Sequence, residues 1–403
     1  MNHKQLRKQF PILNQKANDH SLCYLDTAAT SQKPLQVINA ISNYYQQSNA
    51  NVHRAAHFLS AQATRQYEQV RIQIKEFIKA NNLSEIIFTS GATQSINMVA
   101  HGLINQFNAD DVILIDTTAH HANIVPWQQL AKTTNTKIIP IPLDNDLRLD
   151  VVAYENLLIE NNVKLVALNH VSNVLGTINP IEKLIMLAKQ HQALTLIDGS
   201  QAIAHLAVDV NQLNCDFYVF SSHKMYGPTG VGILYGRYDE LNKLTPLLTG
   251  GEMIKSVSFN STTFGELPNR LEAGTPPIAE VIGLGTAIDF ITQLDAPHLK
   301  QEKELLIYLQ NELSNIPQIE VYAGHKDNIS TVAFNVRGEH HQDVGILLDQ
   351  QGIAIRCGHH CAQPLMETLN IKGCCRASIG IYTNKKDIDQ FIDALNAVIE
   401  LLE

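Results

Sequence analysis

Asp216-Phe217-Tyr218-Val219-Phe220-Ser221-Ser222-His223-Lys224-Met225-Tyr226-Gly227-Pro228 sets an apolar run directly before a single amine and a glycine-proline turn. The run reads as a short buried strand that delivers Lys224 at its carboxyl end, where open α/β sheets hold their ligands. An amine in such a place sheds its proton when burial or nearby positive charge lowers its pKa from about 10.4. It can then condense with an aldehyde, which is the lysine chemistry of pyridoxal phosphate sites.

A second apolar run, Leu194-Thr195-Leu196-Ile197, ends in Asp198-Gly199-Ser200-Gln201. Asp198 is suited to pair with a protonated pyridine nitrogen and Gln201 to bond a ring oxygen; on its own, an Asp at a strand end also serves as a helix cap or turn former. Glu85-Ile86-Ile87-Phe88 runs into Thr89-Ser90-Gly91-Ala92-Thr93-Gln94, so strand, glycine turn and helix start expose free amides to an anion. Ala92 and Thr93 stand where a phosphate would sit. The dinucleotide fingerprint and the Walker loop are absent, which favours a single phosphate monoester. Val112-Ile113-Leu114-Ile115 leads to Ala119-His120-His121-Ala122-Asn123-Ile124-Val125-Pro126-Trp127, which offers an imidazole to lie over an aromatic ring or carry protons. A metal reading of the two histidines lacks carboxylate or cysteine partners in the segment.

These motifs, with Asn173 in His170-Val171-Ser172-Asn173-Val174-Leu175-Gly176, resemble the cysteine desulfurases, fold-type I pyridoxal-phosphate enzymes of the class-V aminotransferase group. The resemblance runs from about Tyr24 to the C-terminus. Arg356-Cys357-Gly358-His359-His360-Cys361-Ala362-Gln363-Pro364 supplies the sulfur acceptor such an enzyme needs and is similar to the group II (SufS or CsdA) subtype. Cys361 is the expected nucleophile. Zinc at Cys357, His359, His360 and Cys361 is disfavoured, because neighbouring histidines on a short loop are hard to orient around one ion. Cys357 is unusual for the family, and its nearness in sequence suggests a disulfide or resolving role.

The resemblance implies further roles. Lys224, Cys361 and His121 are the expected catalytic residues; Ser221, His223 and Asn173 join Lys224, Asp198, Gln201, Ala92, Thr93 and His121 around the cofactor. Cys374-Cys375-Arg376-Ala377-Ser378 is similar to the segment whose arginine binds the substrate carboxylate, a task for a planar guanidinium; Arg356 and Asn173 are placed in the same pocket. Asn51-Val52-His53-Arg54 and Glu272-Ala273-Gly274-Thr275-Pro276 resemble segments that enter the neighbouring subunit's site, so His53, Arg54 and Thr275 are expected to act across a homodimer. Gln94 departs from the glutamate usual in SufS members. The implied reaction converts L-cysteine to L-alanine, leaves a persulfide on Cys361 and passes sulfur to an acceptor of the SufE, CsdE or SufU type, for Fe–S cluster assembly or another transfer pathway. L-selenocysteine is an alternative substrate. An aminotransferase, a kynureninase-like hydrolase, and a non-enzymatic module holding pyridoxal phosphate or a metal are the rival readings.

The 403 residues, 45% hydrophobic and 17% charged, suffice for a sizeable core and two domains. A net charge of -9 gives no electrostatic support for nucleic-acid binding or a basic membrane anchor. The first residues lack the apolar stretch of a signal peptide, and no run is long enough to span a bilayer; with six scattered cysteines, this suggests the cytoplasm. Strands alternating with amphipathic helices from about Ile86 to Leu234 predict an α/β, mostly parallel sheet with helices on both faces. A smaller α+β domain follows. The expected division is an N-terminal segment, 1–20, packed on the small domain, a large domain at 21–290, and a small domain at 291–403 carrying the cysteine loop. Gly250 to Pro277 reads as a long loop, and Ser378-Ile379-Gly380 as a strand.

Overall fold

Apolar runs too continuous for a one-sided sheet become central strands covered on both faces. In the computed structural model, which describes residues 3–53, 56–294 and 296–403, seven of them form one sheet: β1 (Ile86–Thr89), β2 (Val112–Asp116), β3 (Lys137–Ile141), β4 (Val163–Asn169), β5 (Leu194–Asp198), β6 (Phe217–Ser221) and β7 (Gly232–Gly236). Every residue of β1, β2, β6 and β7 is buried. The order is β1-β7-β6-β5-β4-β2-β3. Only β7 runs antiparallel to its neighbours β1 and β6; the remaining pairs are parallel. The carboxyl ends of β1, β2, β4, β5 and β6 therefore share one edge of the sheet.

The second sheet holds β8 (Ile319–Tyr322), β9 (Thr331–Val336), β10 (Arg356–Gly358) and β11 (Cys374–Ser378), in the antiparallel order β8-β9-β11-β10. Against it pack side chains from the helices Ala296–Ser314, His341–Asp349 and Lys385–Leu402, with Leu309, Val344, Phe334, Phe391 and Leu395 in one core. The strand observed is Cys374–Ser378, not Ser378–Gly380: Cys375 and Ala377 supply its apolar face toward the small sheet's core, and Gly380 bonds Thr383 in the following turn.

Three segments depart from the sequence reading. Cys23–Tyr24 pairs in parallel with Ile353–Ala354, and Cys23 and Leu25 lie in the small sheet's core, so this stretch does not begin the large unit. The first residues serve both units. Arg7 bonds Asp387 at 2.6 and 3.0 Å, whereas Phe10 packs among Tyr226, Phe290 and Tyr382 at centroid distances of 4.8 to 6.1 Å. The 250–277 stretch, too polar to read as strand, contains an exposed antiparallel hairpin, Ile254–Val257 with Thr262–Phe264.

A buried charge network ties helix Phe58–Phe77 to the sheet edge. Arg71, 1% exposed, bonds Glu272 through both terminal nitrogens at 2.8 and 3.0 Å, Glu68 through Nε at 2.9 Å, and the Ile86 carbonyl. Glu272 also accepts from the Phe88 amide. Removing one member strands a desolvated charge, so Arg71→Met should lower the unfolding free energy by about 3–5 kcal/mol in urea titrations. A loss below about 1 kcal/mol would show that the pair is no more than a surface bridge.

Candidate active site

Each strand end on the shared edge contributes to one cavity of about 230 Å³. β6 leads through a single helical turn, Ser222–Lys224, to Lys224. β5 ends in Asp198, whose Oδ1 accepts from the Ser200 amide at 2.9 Å. Between them Gly199 is required, because a Cβ there would lie 2.2 Å from the Tyr218 ring. From β1 the chain turns at Gly91 into helix Ala92–Leu103, and the Ala92 amide donates to Ser221 Oγ at 2.8 Å. Gly232 is required as well: its Cβ would meet the Gly91 backbone at 2.3 to 2.8 Å.

The opposite wall comes from the small sheet. Arg356 and Arg376 face each other across β10 and β11, and Asp26 accepts from both, at 3.0 to 3.2 Å. Arg376 is buried and also donates to the Asn173 carbonyl at 2.7 Å. His360 and Cys361 complete this wall.

Both residues have left-handed backbone, at φ 50° and 55°. Two such non-glycine residues in succession cost of order 1–3 kcal/mol each and persist only where the surroundings hold them. Here the hold is visible. Asn173 Nδ2 donates to the His360 carbonyl at 2.8 Å, His360 Nε2 to the Cys374 carbonyl at 2.9 Å, and the His121 amide to the Cys361 carbonyl at 2.6 Å.

Burial, reinforced by the Arg376 and Arg356 guanidinium groups, lowers the pKa of Lys224 against the opposing pull of Asp198 and Cys361. The neutral amine is the reactive form. Burial and Lys224 bring His120 down to about 4. His223 also falls to about 4, through burial and the charges of Lys224 and Lys33. Burial, then Arg376, takes His360 to about 3. The Ala122 amide donates to His120 Nδ1 at 3.1 Å, which places the proton of the neutral ring on Nε2.

Asn173 Oδ1, Ser200 Oγ, His360 Nδ1 and Arg376 Nε are buried without a protein partner, and all four residues line the cavity. Buried polar atoms are rarely left unpaired. Their concentration at the base of one cavity fits a polar ligand with several hydrogen-bonding groups, as pyridoxal phosphate with an amino acid would be.

The sequence matches the model of the aminotransferase class-V family over residues 23–391. The chain belongs to that family. Among relatives of this class-V chain, a probable cysteine desulfurase of Vibrio cholerae is 46% identical, with 100% of both chains covered. Another from Halalkalibacterium halodurans is 45% identical over 99% of this chain and 98% of its own. The crystal structure of the Escherichia coli cysteine desulfurase CsdA, in an S-sulfonic acid form, superposes with a TM-score of 0.91 at 36% identity, covering 100% and 99% of the two chains. The apo structure of a Thermococcus onnurineus cysteine desulfurase gives 0.93 at 36%, covering 98% of each. The mostly parallel sheet is that of the fold-type I enzymes of this class.

Of the residues expected at a class-V site, Lys224, Asp198, Ala92, Thr93, Ser221, His223, Asn173, Arg356, Arg376 and Cys361 line the one cavity. Two expectations are corrected. The cavity histidine is His120; His121 stands behind it, where its Nε2 accepts from the Gln363 amide at 3.0 Å. Gln201 is not on the wall, since its amide nitrogen donates to the Ala28 carbonyl at 2.8 Å. The two residues expected to act across a dimer are not judged by one chain's cavity: His53 bonds Glu68 at 3.0 Å, and Thr275 is exposed in its loop. Arg54 lies outside the described residues. Gln94 Oε1 accepts from the Ser90 amide at 2.6 Å, a bond that a glutamate would also make. Asp26 was not anticipated.

His121 thus brackets the thiol loop, bonding residues 361 and 363 with its amide and its ring. We expect His120→Gln to cut cysteine turnover about 100-fold, the scale of a lost proton carrier. His121→Phe should leave the visible cofactor band intact and slow only sulfur loading of Cys361. Equal losses in both steps from both variants would refute this division of labour.

Proposed function

We propose that the chain is a pyridoxal-5'-phosphate-dependent cysteine desulfurase that converts L-cysteine to L-alanine and carries the sulfur on Cys361. The observation behind this reading is the placement of an exposed thiol, Cys361, on the wall of the cavity that buries the Lys224 amine. An aminotransferase or a kynureninase-like hydrolase needs no such thiol. Lys224, Asp198, His120, Ser221 and Thr93 are the residues that would hold the cofactor, with Ser221 and the amides at the start of helix Ala92–Leu103 toward its phosphate. When bound, it supplies the electron-accepting ring chemistry of its enzyme class.

The chain's own groups account for the rest. Arg376 and Arg356 bind the substrate carboxylate and orient the amino acid, with Asp26 fixing the two guanidinium groups in the resting state. Neutral Lys224 takes the α-proton. His120 holds a proton on Nε2 at the cavity wall. Cys361 receives the substrate's sulfur and, being exposed, hands it to an acceptor protein of the SufE, CsdE or SufU type serving Fe–S assembly or another thiolation pathway. Selenium shares this chemistry, so selenocysteine lyase activity belongs to the proposal and is ranked by parallel turnover assays.

A homodimer is part of this reading. Phe58 beside the His53 segment is 74% exposed, and Phe259 at the hairpin tip is fully exposed, the kind of apolar surface that a partner covers. Sedimentation tests the assembly. The reaction itself is tested by mass spectrometry after exposure to L-cysteine: one added sulfur should map to Cys361, and alanine should appear. Pyruvate in place of alanine, or sulfur mapped to another thiol, would overturn the assignment.

A further inference from the structure

Cys357 is placed by the fold beside a different cysteine from the one its sequence suggests. In the register of β10 and β11 it stands directly opposite Cys375, and the two Sγ atoms are 3.5 Å apart. Both are free thiols. Directly paired residues on neighbouring strands have Cβ atoms about 4.5–5.5 Å apart, close enough for a disulfide to need only a small adjustment. The space around the pair is cut to fit: a Cβ on Gly345 of helix His341–Asp349 would lie 2.6 Å from Cys357 Sγ. Cys375 is fully buried, with its Sγ 3.5 Å from the His341 carbonyl, whereas Cys357 is half-buried and open to a small oxidant.

The pair sits at a sensitive place. Side chains alternate along a strand, so the two cysteines occupy the back of the two-strand unit whose front presents Arg356 and Arg376 to the cavity. Contact with Cys375 lowers the pKa of Cys357 despite its burial, and Cys375 is raised by the same contact and by its own burial. Of the two thiols Cys357 is the more easily deprotonated, which makes it the nucleophile.

We propose that Cys357 and Cys375 form a reversible cross-strand disulfide that couples peroxide exposure to the enzyme's grip on the substrate carboxylate. The Cys357 thiolate attacks hydrogen peroxide, the O–O bond breaks, and hydroxide leaves behind a sulfenic acid. The Cys375 thiol then displaces the sulfenic oxygen as water, forming the S–S bond. Two thiols lose two electrons, peroxide gains them, and two waters result. Closing the sulfurs from 3.5 Å to the bonded distance of about 2.05 Å draws the strands together, and Arg356 and Arg376 shift with them.

The test has two arms. In the first, cofactor-loaded Cys361→Ala protein is treated with hydrogen peroxide, alkylated and digested; peptides containing Cys357 and Cys375 should emerge joined, and dithiothreitol should separate them. This arm needs no turnover, so it stands or falls independently of the proposed activity. In the second, which rests on the desulfurase reading, the parent protein is treated with peroxide and residual oxidation of Cys361 is quantified by mass. The KM for L-cysteine should rise about tenfold, the scale of a sub-ångström misplacement of a binding group. Dithiothreitol should reverse the change, and Cys357→Ala or Cys375→Ser should not show it. Unlinked peptides at a dose that oxidises Cys361 in the parent protein would overturn the pairing. A linkage that leaves KM unchanged, or the same KM rise in Cys357→Ala, would overturn the coupling.

Discussion

Cys361→Ala protein is expected to take up pyridoxal phosphate with its visible absorbance unchanged and to lose cysteine-to-alanine turnover by about 1,000-fold or more, the size of effect seen when a catalytic nucleophile is removed. The separation of the two readouts follows from the architecture. Lys224, Asp198 and Ser221 come from the large sheet and need nothing from residue 361 to hold a cofactor, whereas the thiol comes from a loop of the small unit. The variant should fold normally, because Cys361 is exposed and its backbone is held by its own carbonyl and by its neighbours. Spectra and alanine release measured on one preparation check both halves. Turnover at the parental rate would remove Cys361 from the mechanism.

Lys224→Ala should behave in the opposite way. The amine that ties the cofactor and moves the α-proton is gone, so we expect both the lysine-dependent visible band and turnover to vanish, with a rate loss of about 1,000-fold or more. Stability should rise slightly or stay level, because a buried amine with a depressed pKa is a desolvation cost in the folded state. The sign follows from linkage. Its folded pKa lies below the unfolded value, so the unfolded chain binds more protons as pH falls through that interval, and the parent protein's stability falls with it. The stability gap between variant and parent should therefore widen on going from alkaline to neutral pH. A variant markedly less stable than the parent at neutral pH would contradict this account.

That Lys224, Asp198 and the glycine turn before Ala92 meet at one cavity was legible because each is a linear pattern, an apolar run followed by one or two polar residues, that survives folding unchanged. His120 and His121 show where such reading stops. Adjacent residues leaving a strand point to different sides, and sequence alone does not say which side faces the ligand; the proton-accepting bonds of the two rings decide it. Asp26 escaped for another reason. Its arginine partners lie 330 and 350 residues away, and no local pattern announces a carboxylate that serves a distant strand pair. The same holds for Cys357, whose neighbour in sequence is Cys361 but whose neighbour in space is set by strand register. The exposed hairpin was hidden by its polarity, since apolar content is what marks a strand in a sequence.

The left-handed pair at 360 and 361 is gripped from two directions. His121 and Asn173 follow strands of the large sheet, and Cys374 belongs to the small one. The Cys361 thiol is consequently a pointer mounted across a seam. Whatever changes the angle between the two halves, be it a substrate, a docking protein or a distant substitution along the seam, swings the tip of that pointer and resets how far the thiol can reach.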